Sequence, residues 1–111
     1  MKMVVAIIQP FMFDRVVRAL RSKIHIHGMT CWEVKGFGSD VSQAHKELNM
    51  ADFFTPKMRM EIVVSEEMVQ PVMDTIYNLC HTGQTGDGKV FVLAVEDALR
   101  IDNGQTGAAA I

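Results

Sequence analysis

The run Thr82-Gly83-Gln84-Thr85-Gly86-Asp87-Gly88-Lys89 gathers glycines, a carboxylate and a lysine, then passes straight into Val90-Phe91-Val92. Glycine frees the backbone to take positive φ and to approach a ligand closely. Successive N–H groups in such a turn form an anion-binding concavity, and a lysine ammonium adds a full charge. Phosphate is the ligand that suits it. Gly83 to Lys89 nearly fits the GxxxxGK of a P-loop, but Val90 stands where that motif needs Ser or Thr for Mg²⁺. The loop also leads into an alternating, strand-like run, and Glu66 to Leu79 before it reads as a helix. P-loop hydrolysis is therefore not expected, whereas nucleotide binding without turnover is compatible. A plain helix-to-strand connection rich in Gly and Asp is the other reading.

Other reactive side chains are scattered. His25 and His27 alternate, so both point one way if that stretch is extended. With His45, His81, Cys31, Cys80 and nine methionines they offer soft and imidazole ligands suited to Zn²⁺ or copper. Their spacing matches no known finger or facial triad, and Met commonly fills core gaps. No nucleophile sits beside a base and no carboxylates are paired, so no catalytic residue is assigned. His81 is the one candidate base beside the glycine loop.

These groups need a scaffold. With 111 residues, about half apolar (49%), the chain is expected to form one domain, 1–111, able to bury a core without staples. A net charge of −2 and the lack of a basic stripe give no case for nucleic acid. No apolar stretch is long enough to span a bilayer. The N-terminal apolar run is cut by Gln9-Pro10 and reads as a first strand, not a signal peptide. Two cysteines without CxxC spacing imply reduced thiols and a cytoplasmic setting.

The chain divides into two similar halves. Lys2 to Gln9 reads as a strand, Phe13 to Lys23 as a helix with Asp14 in its first turn, and Met29 to Lys35 as a strand. Met58 to Val64 is the next strand, Ser65 the expected N-cap of Glu66 to Leu79, and Lys89 to Val95 the last strand. Pro71 is expected to kink its helix. This βαββαβ order predicts an α+β ferredoxin-like sandwich, an antiparallel sheet with both helices on one face. The first and last strands are apolar on both sides, so the other face is expected to be covered by oligomerisation. Between the halves, Gly38 to Thr55 is too long for a hairpin and too polar for a core strand, the mark of a functional or disordered loop. Its Asp52-Phe53-Phe54 end could dock on a partner or tuck back against the body.

Four pieces in register resemble the PII signal-transduction proteins: Ile7-Ile8-Gln9-Pro10-Phe11, Gly36-Phe37-Gly38 before the long loop, Pro56-Lys57 after it, and Thr82-Gly83 with Gly86 to Val92. The resemblance runs from Met1 to Ile111. It implies a homotrimer of ferredoxin-like subunits that binds adenine nucleotides in clefts between neighbours and acts as a switch, not an enzyme. The long loop (T-loop, about 38–56) would grip a target, a membrane transporter or an enzyme, typically in nitrogen regulation. The glycine loop spans about 82–89 and the C-terminal loop about 100–111. By position, Gly86, Asp87, Gly88 and Lys89 would cradle phosphates, joined by Arg100 of a neighbouring subunit. Gly36, Phe37 and Gly38 would line the pocket, with Ile7, Glu61 and Val63 near adenine or ribose. Met29 and Thr30 would be offered across the subunit boundary, and Lys57 would face 2-oxoglutarate or the phosphates.

The departures from the family pattern are specific. Ser39-Asp40 replace the usual Arg-Gln, and a carboxylate in place of the amide that helps bind Mg²⁺ and 2-oxoglutarate repels a dianion, although it could favour a cation. Sensing of 2-oxoglutarate in the usual way is not expected, and the role of Mg²⁺ stays open. Tyr77, in the second helix, is the sole tyrosine, which excludes uridylylation of the loop; Ser39 and Ser42 remain open to modification. Asp102 replaces a second arginine, which favours ADP or AMP over ATP. No tightly bound cofactor is expected. A carbon-linked, metal-binding or metal-efflux-linked trimer is the alternative function.

Overall fold

The computed structural model describes residues 1–38 and 53–111. Its elements are β1 (Lys2–Ile8), α1 (Phe13–Ser22), β2 (Thr30–Gly36), β3 (Thr55–Val64), α2 (Val69–Cys80) and β4 (Gly88–Ala94). The four strands form one antiparallel sheet in the order β2-β3-β1-β4. This is the expected ferredoxin-like βαββαβ arrangement.

The pleat decides where the core lies. Val4, Ala6 and Ile8 alternate on β1, and Met60, Ile62 and Val64 on β3; they meet Val16 and Leu20 of α1 and Val72, Ile76 and Cys80 of α2. Most of these side chains are fully removed from water. Each large one contributes roughly 1.5–3 kcal/mol of transfer free energy. On the opposite face Trp32, Phe91 and Leu93 stay 41%, 48% and 45% exposed in the single chain. They share that face with Arg59, which ion-pairs with Glu61 at 3.2 Å and lies 5.6 Å from the Trp32 ring centroid. The Arg59 Nε is buried without a hydrogen-bond partner.

Four expectations need correction. β3 begins at Thr55, three residues earlier than expected, so Lys57 belongs to the sheet. The segment Glu66–Met68 is 3₁₀, and Pro71 is therefore the third residue of α2, where no intrahelical N–H bond is lost and no kink is required. Ser65 has the extended backbone of an N-cap but makes no side-chain cap bond; its carbonyl accepts from Met68 N at 3.0 Å instead. Residues 24–29 form no strand, and His25 takes a left-handed φ of 58°, so His25 and His27 do not share a strand face.

Candidate functional site

Helix α2 ends at Cys80, and residues 81–87 turn the chain into β4. Gly83, Gly86 and Gly88 take φ of 84°, 97° and 119°. At Gly88 packing adds a second demand, because a Cβ there would run into the Ile7 carbonyl of β1, whereas Gly83 has open space at that position. The loop is tied by Asp87. Its carboxylate accepts from Thr82 N at 2.7 Å, Thr82 Oγ1 at 2.5 Å and Gly83 N at 3.1 Å. Hydrogen bonds from the Thr82 hydroxyl and backbone hold the Asp87 carboxyl below its usual range. Asp87 is thus the internal clasp of the turn. Burial, with a smaller push from Asp87, raises the Cys80 thiol above its usual range.

Two side chains converge on the Gly86 carbonyl oxygen. Gln9 Nε2 donates to it at 2.7 Å and Lys57 Nζ at 2.9 Å. Lys57 is only 8% exposed and forms no ion pair among the described residues. A buried ammonium bound to a single neutral acceptor retains unused donors and an uncompensated charge. Gln9 was not among the expected site residues; its place in Ile8-Gln9-Pro10, where the chain leaves β1, gave no sign that the amide turns toward residue 86.

The root of the long loop lies at the same end of the sheet. Gly36 and Thr55 form the last pair of β2 and β3, and Phe37 meets Phe54 edge to face at 4.9 Å. That aromatic contact is the tucked-back outcome for Phe54. Lys57 pairs with Val34, and Ile7 lies between Arg59 and Lys89. Ile7, Gly36, Lys57, Gly88 and Lys89 therefore lie toward the same end of the sheet, with Lys57 in direct contact with Gly86. Ser39, Asp40, Ser42, His45 and Asp52, with most of the expected T-loop, lie outside the described residues.

The remaining expected residues occupy the other end. Glu61 and Val63 are four and six residues beyond Lys57 on β3, a separation of roughly 13–20 Å at strand rise. Glu61 pairs with Thr30, and both line a cavity of about 700 Å³ with Met29, Val63 and Ile111. Arg100 sits in a turn closed by Arg100 N to Gln105 O at 2.8 Å and a Leu99–Thr106 bridge, beyond the end of β4 that pairs with Lys2. Its Nε is ion-paired with Asp102 at 3.0 Å. The expected site residues of one chain thus fall into two groups toward opposite ends of its sheet. Among the described residues no group of three or more His, Cys, Asp or Glu is placed to hold a metal. His81 lies stacked on Tyr77 at 4.7 Å. No described helix is long and apolar enough to cross a membrane.

The family model of nitrogen regulatory protein P-II matches residues 1–105. The chain belongs to the nitrogen regulatory protein P-II family. It is 42% identical over 115 residues to the nitrogen regulatory protein P-II of Rhizobium meliloti (strain 1021), covering all of both chains. It is 45% identical over 116 residues to nitrogen regulatory protein P-II 1 of Escherichia coli (strain K12) and to the P-II protein of Klebsiella oxytoca, again over the full length of each. As a P-II family protein it has a signal-transduction regulator's role in nitrogen regulation. P-II proteins are regulators that interact with target proteins.

Proposed function

We propose that this P-II protein binds an adenine nucleotide between neighbouring copies of a cytoplasmic homotrimer and thereby sets the state of its 38–56 loop toward a target transporter or enzyme. The observation that carries the reading is Lys57: a buried ammonium with no carboxylate partner among the described residues, touching the Gly86 carbonyl of a glycine loop. Phosphate oxygens would supply the missing counter-charge, with Lys89 at the rim. The two groups of site residues support a shared cleft, because the end bearing Met29, Thr30, Glu61, Val63 and Arg100 is distant from the glycine loop of its own chain. A second copy would join them and would cover Trp32, Phe91 and Leu93. Catalysis is not part of the proposal; among the described residues the imidazole next to the loop, His81, is stacked on Tyr77.

A ligand moves a loop only by binding one of its states more tightly than the other. Lys57 follows Thr55 by two residues, and Thr55 closes the loop root with Gly36, so a pull on Lys57 reaches that root directly. Calorimetry with ADP, combined with sedimentation, tests the reading. One nucleotide per chain in a trimer is expected. A monomer, or no heat with AMP, ADP or ATP, overturns it. Capture of the target with and without ADP then tests the loop response.

A further inference from the structure

The Gly86 carbonyl has two donors where one would satisfy it, and they come from different parts of the fold: Gln9 just after β1 and Lys57 within β3. Their chemistry differs. Lys57 is charged and carries three N–H donors, so an arriving oxyanion is a stronger partner for it than a neutral carbonyl. Gln9 is neutral and gains less from the anion than the lysine ammonium does. When Lys57 turns to the anion, the Gly86 oxygen would be left bare in a partly buried position unless another donor stayed.

We propose that Gln9 is a positioning residue of the anion site: its amide keeps the Gly86 carbonyl capped while Lys57 is transferred to a nucleotide phosphate. This rests on the nucleotide reading above and adds how the loop survives the transfer. Without Gln9, taking Lys57 would strip a partly buried acceptor, and the loop would resist the ligand. Gln9 therefore lowers the cost of binding without touching the phosphate.

Two measurements test this. In calorimetry with ADP, Gln9→Leu should bind up to roughly tenfold more weakly, the low end of the cost of an unsatisfied carbonyl because Gly86 is partly buried. Gln9→Lys, which restores a donor, should recover most of that loss. In a Lys57→Met background Gln9→Leu should change little, because no lysine has to leave. Equal losses in both backgrounds, or none in either, overturn the proposal. Amide hydrogen exchange over residues 82–89 without ligand gives the second readout. Gln9→Leu and Lys57→Met should each keep the loop protected, and the double variant should lose protection. Full loss in either single variant overturns the shared cap. Should wild type take up no adenylate, the nucleotide reading falls, and the exchange result still decides whether Gln9 holds residue 86.

Discussion

Thr82 and Asp87 close the glycine loop on itself, with the threonine offering both its amide and its hydroxyl to one carboxylate, at 2.7 and 2.5 Å. Gly83 N adds a third bond at 3.1 Å. The clasp fixes which backbone groups remain free to face outward. An acidic residue in a proposed phosphate site would otherwise be a liability. Here its charge is directed back into the turn.

The clasp makes the loop sensitive to acid. The hydrogen bonds from Thr82 and Gly83 favour the ionised carboxylate, so the folded-state pKa of Asp87 lies below the ordinary 3.8. Its contribution is whole above that ordinary value and is lost as pH falls through the lowered one. The Thr82 and Gly83 amide resonances should report a transition below pH 3.8. Asp87→Asn should abolish that transition and speed exchange at both amides at neutral pH. Amide shifts that track the ordinary value would show that the clasp does not form.

Two glycines of the same loop separate strain from collision. Gly83 has a φ of 84° and open space where a Cβ would stand, so Gly83→Ala should cost about 1 kcal/mol. Gly88, at 119°, adds a collision with the Ile7 backbone. Gly88→Ala should cost more than about 2 kcal/mol, strain and steric displacement together. Urea denaturation of the two variants checks the order. Equal midpoints would mean that β4 can leave β1 locally without penalty.

Much of this was legible in sequence because periodicity and register are local properties. The alternation on Val4, Ala6 and Ile8 and the helical spacing of Val72 and Ile76 give the layers and the buried face. Helix beginnings were less legible. The 3₁₀ turn at Glu66–Met68 shifts the α-helical start and makes Pro71 harmless, and residue types alone do not distinguish these two helices. The glycine loop stood out by composition, whereas Gln9 did not, since its contact spans 77 positions in sequence. The inward turn of Asp87 was equally hidden: a carboxylate beside glycines reads the same whether it faces a ligand or its own backbone.

Cys80 should be a poor nucleophile in the folded protein. Burial holds the thiol protonated above its ordinary value of 9.0, and the thiolate is the reactive form. Iodoacetamide at pH 8 should modify Cys80 only at the rate of local or global opening, and denaturant should remove the protection. By linkage, the thiol's contribution to stability is complete below the unfolded-state pKa and declines as pH rises beyond it. Prompt labelling of Cys80 in native buffer, mapped by peptide mass, would contradict the packing of α2 against β1.

Arg100 bears on which nucleotide the site prefers. Its guanidinium is already matched by Asp102 at 3.0 Å, with the side chains 52% and 68% exposed. An exposed pair of this kind is worth at most about 1 kcal/mol, so it does not lock the arginine away. The carboxylate nevertheless offsets part of the charge Arg100 offers to a polyphosphate and repels each added phosphate charge. Asp102→Asn should tighten ATP by up to about fivefold, the exchange value of that pair, with a smaller gain for ADP and the least for AMP. The graded order is the informative part. A uniform gain across the three nucleotides would indicate a general rearrangement of the 99–106 turn. No gain for any of them, in a protein that does bind ADP, would place Arg100 away from the phosphates and return the selectivity to Lys57 and the glycine loop.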